Sequence, residues 1–118
     1  MEPERIIAKP LVSVVIPTFN SEKTIEDCLK SIKNQTYRNI EIIIVDNYSQ
    51  DKTIKIAKKY DVLIFSKKLG RSAARNFGAK KTMGDFLLFL DSDMVLTPKV
   101  IQECVEKIIK NKVDAIEI

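Results

Sequence analysis

Residues 85–93 read DFLLFLDSD, five apolar side chains in a row followed by carboxylates at Asp91 and Asp93. An unbroken apolar run bounded by polar residues is the pattern of a strand buried on both faces. Three earlier hydrophobic runs, rich in β-branched residues, read the same way: LVSVVIP at 11–17 and IEIIIVD at 40–46, interrupted by Ser13 and Glu41, and VLIF at 62–65. The segments between them carry helical spacing. Ile25, Cys28, Leu29 and Ile32 recur at i, i+3, i+4 and i+7 behind the N-cap candidate Ser21, and Ile101, Cys104, Val105 and Ile108 recur behind Thr97-Pro98. A cap followed by proline predicts a helix start there. Weaker helical patterns cover 51–60, with Ile54 and Ala57 inward, and 71–81, with Ala74 and Phe77 inward.

The resulting order, βαβαβαβα, predicts an α/β fold. Continuous apolar strands separated by amphipathic helices imply a three-layer αβα sandwich around a mainly parallel sheet with right-handed crossovers. Residues 1–10 read as a lead-in. Asp114 to Ile118 (DAIEI) read as the opening of a fifth strand, so residues 11–118 are expected to be the first part of a larger, truncated domain. Such an unfinished sheet leaves an apolar edge, which predicts self-association as a homo-oligomer.

Composition narrows the chemistry. The 118 residues are 45% hydrophobic and 31% charged, enough for one globular core without metal or disulfide staples. There is no histidine, which removes Ser-His and Cys-His nucleophile pairs, an imidazole base and Cys₂His₂ zinc sites. Acid-base and metal work falls to carboxylates. Cys28 and Cys104 lack any CxxC spacing and read as reduced core residues. No signal-peptide pattern opens the chain and no run approaches a membrane span, so a cytoplasmic location is expected. The net charge of +4 is uneven, with ten Lys or Arg against two Asp in residues 51–81. Lys52, Lys55, Lys58 and Lys59 read first as a solvated face. Peripheral contact with anionic lipid is the alternative reading, and no nucleic acid is expected as a partner.

In parallel sheets ligands bind at the carboxyl ends of the strands, and four junctions bring polar residues to that edge. Strand one runs into Pro17, Thr18, Phe19 and Asn20, with Glu22 at the helix start. Strand two ends in Asp46, followed by Asn47, Tyr48, Ser49 and Asp51. Strand three leads through Lys67, Lys68 and Gly70 to Arg71 and Arg75, and strand four ends in Asp91-Ser92-Asp93. In extended geometry Asp91 and Asp93 face the same side. Two hard oxygen ligands so placed suit Mg²⁺ or Mn²⁺ on a diphosphate, whose growing charge the metal neutralises. The competing reading makes Asp91 a loop cap and Asp93 a solvated acid. Asp46 suits either a nucleobase N–H or ribose hydroxyl, or an Asx-turn. Asp51 reads as a first-turn acid, with Ser49 as the cap, and Glu22 shares that ambiguity. Arg75 would add charge-assisted bonds near a diphosphate. Gly70 is expected to permit a tight turn, and Ala73 and Ala74 to let their helix approach the sheet.

Together the blocks VSVVIPTFNSEKTIEDCLKSI, IEIIIVDNYSQDKT and GRSAARNFGAKKTMGDFLLFLDSD, from Val12 onward, resemble the nucleotide-binding half of family 2 glycosyltransferases with the GT-A fold. That resemblance implies a nucleotide-diphospho-sugar donor, a divalent cation and inverting transfer to an acceptor hydroxyl. By position it places Pro17, Thr18 and Glu22 along the nucleoside and Asp46 at the base. It places Arg75 near the diphosphate, Asp91 by the ribose, diphosphate and metal, and Asp93 on the metal. The family frequently shows a second acid and a glycine after the strand-two Asp, where this chain has Asn47 and Tyr48. The resemblance also places the acceptor region and the catalytic base beyond the DxD, so neither is assigned to a residue here.

Other classes fit less well. Aspartyl-phosphate hydrolases carry their DxD after the first strand, whereas here it follows the fourth. Neither GxGxxG nor GxxxxGK[ST] is present, against a dinucleotide oxidoreductase or a P-loop NTPase. A related nucleotidyltransferase would show a glycine-rich loop with an Arg where PTFN stands. A non-catalytic half-domain that holds a nucleotide sugar or scaffolds a partner is the alternative to an enzyme.

Overall fold

Valine and isoleucine fill both sides of the first two strands, and this puts them at the middle of the sheet. The computed structural model of the protein describes residues 9–111. Strands β1 (Val12–Thr18), β2 (Ile40–Asp46), β3 (Leu63–Ser66) and β4 (Phe86–Phe89) form a parallel sheet in the order β3-β2-β1-β4. Helices α1 (Ile25–Lys33), α2 (Thr53–Ala57), α3 (Arg71–Lys80) and α4 (Val100–Asn111) connect and cover it. Val12 pairs with both Ile40 and Phe86, so β1 is central.

Side-chain alternation divides the core into two layers. Val12, Val14, Ile16, Ile42 and Ile44 face α1, α2 and α4, where they pack with Ile25, Leu29, Ala57, Ile101 and Val105. Val15, Ile43 and Val45 point the other way, onto Ala74 and Phe77 of α3. The three-layer expectation holds, with a single described helix on the second face.

Glycine makes that single helix fit, though at a different position from the one expected. A Cβ on Gly78 would lie 2.4 Å from Val15 Cγ1 and 3.2 Å from Val45 Cγ2, so α3 rests its backbone directly on the sheet. Ala74 is buried beside it, one turn earlier, but Ala73 is exposed and takes no part. Gly70 has φ −66° and ψ 171°, extended backbone open to any residue, with nothing within 4 Å of an added Cβ. The tight bond before α3, from Leu69 N–H to the Lys67 carbonyl at 2.9 Å, closes ahead of Gly70 and does not draw on its conformational freedom. Gly84 is a second close approach, where a Cβ would meet Ser13 Oγ at 2.1 Å.

Several expected boundaries move, for local reasons. Helix α2 covers five residues rather than ten, because the N–H groups of Lys59 and Tyr60 turn to the carbonyls three back, Ile56 and Ala57, and end it. Helix α1 begins at Ile25 after a turn, with Thr24 in the cap position. The Ser21 carbonyl receives the Thr24 and Ile25 N–H groups at 3.1 and 2.9 Å, while its hydroxyl points elsewhere. Glu22 therefore precedes α1. Pro98 likewise lies in the turn before α4, which starts at Val100. Edge strands β3 and β4 are four residues each and half-exposed, leaving Leu63, Leu87 and Phe89 facing solvent. The fifth strand expected at 114–118 and most of the 1–10 lead-in lie outside the described residues. Among the described residues no helix is long and apolar enough to cross a membrane. Both cysteines are free thiols, Cys28 buried and Cys104 half-buried.

Candidate functional site

At the carboxyl edge the last rung of the central pair places Thr18 opposite Asp46. Asp46 is fully buried, and a buried carboxylate is costly unless donors surround it. Three do. Thr18 Oγ1 and Ser49 Oγ each donate to Oδ1 at 2.6 Å, and the Ser49 N–H donates to Oδ2 at 2.8 Å. The Ser49 N–H is three residues on, one beyond the reach of an Asx-turn, and Ser49 serves Asp46 rather than capping α2, where Lys52 holds the cap position. Pro17 is half-buried on the rung beyond the β4 ladder, where its missing N–H removes no strand bond.

The loops after β1 and β2 are stitched to each other. Asn47 N–H donates to the Thr18 carbonyl at 2.9 Å, Asn20 N–H to Ser49 Oγ at 2.8 Å, and Gln50 N–H to Asn20 Oδ1 at 2.9 Å. Glu22 makes further bonds to Asp51 and Lys52 across the same seam. Glu22 N–H reaches Asp51 Oδ2 at 3.1 Å, and Glu22 Oε2 accepts from Lys52 N–H at 3.1 Å. Asp51 Oδ1 also takes the Thr53 N–H and hydroxyl, at 2.9 and 2.5 Å. Burial works against the charged Asp51 carboxyl, yet the donors from Thr53 and Glu22 prevail and hold its pKa below the ordinary aspartate range.

Asn20 (φ 47°) and Tyr48 (φ 50°) are left-handed, and no other described residue has a positive φ. Asparagine tolerates that conformation, whereas a bulky residue there costs about 1–2 kcal/mol. Phe19 and Tyr48, each adjacent to a stitched position, leave their rings about 60% exposed.

Strand β4 ends differently from the expectation. Met94 N–H bonds back to the Asp91 carbonyl at 3.0 Å, closing a turn through Ser92 and Asp93. Asp91 and Asp93 thus take the first and third positions of a turn rather than continuing an extended strand. Arg75 Nη2, from the first half of α3, forms an ion pair with Asp91 Oδ1 at 2.9 Å, both side chains about a third exposed. Its Nε is buried without a partner. Asp93 is exposed. Beneath it, burial and the Asp93 charge push the Cys28 thiol up to about 12, leaving it protonated.

Ser21 joins the three loops. Its N–H donates to Thr53 Oγ1 at 2.7 Å, and its hydroxyl shares a 2.9 Å bond with Ser92 inside the Asp-Ser-Asp turn. Read first as a cap, Ser21 instead clamps the β4 loop to the β1 and β2 loops. Its cue was the polar partner in the middle of DSD.

The donor set fits a hard divalent cation. Asp91 Oδ2 and the Asp93 carboxylate accept no hydrogen bond among the described residues, and both are reachable from solvent. Among the described residues no group of three or more candidate ligands gathers. Two carboxylates alone leave most of an octahedral shell to water and phosphate oxygens, as Mg²⁺ prefers.

Comparison with known proteins adds an independent line. The model of glycosyl transferase family 2 matches residues 13–116. Glycosyltransferase AglE of Haloferax volcanii is 40% identical over 93 residues, covering 71% of this chain and 31% of its own. The uncharacterized glycosyltransferase EpsJ of Bacillus subtilis is 34% identical over 113 residues, covering 91% and 33%. The crystal structure of S. aureus TarS 1–349 in complex with UDP-GlcNAc superposes with a TM-score of 0.78 at 31% identity, over 86% of this chain and 32% of that one. The chain spans about a third of the length of the curated relatives it matches.

Proposed function

The chain belongs to glycosyl transferase family 2 and has the GT-A fold, and from that premise we propose that its sheet edge binds a nucleotide-diphospho-sugar for inverting transfer to an acceptor hydroxyl. The observation that carries this reading is the Ser21 clamp, which draws the loops bearing Asp46, Asp91 and Asp93 into one hydrogen-bonded edge. The likeness to TarS, solved with UDP-GlcNAc, supports a nucleotide sugar as the donor.

On this reading Pro17, Thr18 and Glu22 lie along the nucleoside. Asp46, buried in the free protein, carries one protein donor at Oδ2, which leaves one acceptor position there for a base N–H or ribose hydroxyl. Arg75 exchanges its contact with Asp91 for diphosphate oxygens, which satisfy its buried Nε as well. Released from Arg75, Asp91 would be free for the ribose and, with Asp93, would hold Mg²⁺ or Mn²⁺. When bound, the cation neutralises negative charge on the departing diphosphate.

Calorimetry of the chain with UDP- and GDP-sugars, with and without Mn²⁺, tests the site. Metal-dependent binding that Asp93→Ala removes is the expected result. Absence of metal-dependent binding, or affinity unchanged in Asp93→Ala, would overturn it. Release of nucleoside diphosphate in the presence of donor separates transfer from a binding-only half-domain.

A further inference from the structure

The described chain holds two left-handed residues, and both sit on the stitched loops beside Asp46. Asn20 is suited to that backbone, but Tyr48 is not. Its neighbours fix the conformation, since Asn47 N–H is held by Thr18, and Ser49 is held by Asp46 through both its N–H and its hydroxyl. The left-handed turn lets Ser49 reach Asp46, a task glycine would perform without strain, yet the position carries a tyrosine whose side chain is 60% exposed. Strain kept at a residue whose side chain makes no core contact points to a ligand.

Resting on the donor-site reading above, we propose that Tyr48 is a base-contacting, specificity-determining residue whose ring stacks on the nucleobase of the donor. The strained turn holds an aromatic face two residues from the carboxylate proposed to receive the base. Stacking suits a planar heterocycle, whereas a bare diphosphate offers nothing to it. Phe19, on the neighbouring loop, is exposed as well, so two aromatic side chains stand free on the stitched pair of loops.

The test uses the full chain with Mn²⁺ and three probes, UDP, GDP and inorganic pyrophosphate, measured by calorimetry on the starting protein, Tyr48→Phe and Tyr48→Gly. Tyr48→Gly is expected to weaken UDP and GDP about tenfold or more while leaving pyrophosphate unchanged, and Tyr48→Phe to keep nucleotide affinity within about twofold. Its melting temperature should be no lower than that of the starting protein, since glycine relieves the left-handed backbone. Lost folding then cannot explain lost affinity. Equal UDP affinity in Tyr48→Gly, or an equal loss for UDP and pyrophosphate, overturns the role of Tyr48 and leaves the donor site standing. A starting protein that binds neither UDP nor GDP overturns the donor site itself, and this role with it.

Discussion

Thr18 gives its hydroxyl proton to Asp46 at 2.6 Å from directly across the β1–β2 ladder, on the rung where both strands end. The bond is buried and its acceptor is a carboxylate, the setting in which a single hydrogen bond contributes most. Thr18→Val keeps the shape and deletes the donor. It should lower stability by about 1.5–3 kcal/mol, toward the lower end because the two Ser49 donors remain to hold Asp46. An unchanged urea midpoint would show that Ser49 alone suffices.

Close approach of α3 to the sheet supplies a contrast between two glycines. Gly78→Ala forces a methyl into Val15 and Val45 and should cost about 1–3 kcal/mol, the usual range for overpacking. Gly70→Ala meets open space in an ordinary backbone conformation, so it should be neutral or stabilise by up to about 1 kcal/mol. Thermal melts of the two variants are expected to move in opposite directions or to differ in size by this margin. A Gly78→Ala melt equal to that of Gly70→Ala would refute the contact.

Asp51 makes stability depend on acid. Its folded pKa is depressed, so its contribution is fully present above the ordinary aspartate pKa of about 3.9. That contribution is lost as the pH falls through the lower, folded value. Asp51→Asn should therefore melt earlier than the starting protein at neutral pH. It should also show a flatter decline of melting temperature below about pH 4. Parallel declines in both proteins would assign the acid sensitivity to other carboxylates.

How far residues alone reveal this molecule depends on where the free energy lies. Strands β1 and β2 are legible because burial on both faces calls for apolar residues at nearly every position, and the β-branched stretch IIIV at 42–45 has few other readings. The edge strands are less legible. In DFLLFLD only Phe86–Phe89 forms the ladder, because Asp91 leaves it to close a turn on Met94. Helix α2 was overextended because lysines satisfy helical spacing as readily as they satisfy a solvated turn. The residues expected at the site do collect at one edge, yet the bonds among them are invisible in a single chain read by eye. Ser21 to Ser92 and Asn20 to Ser49 join positions 71 and 29 apart. Gly78 had a usable cue in Ala74, one helical turn before it, a pair of small residues on one face.

The central place of β1 also sets an order of assembly. Its contacts with β2 close over 28 residues, whereas those at the start of β4 close over 74. Shorter loops cost less entropy to close, which predicts that β1, α1 and β2 form the early unit and bring Thr18 against Asp46 with it. Arg75 and the Asp-Ser-Asp turn arrive later, when β4 docks against a surface already in place. Substitutions in the first unit should therefore slow folding, and substitutions around Asp91 should chiefly quicken unfolding.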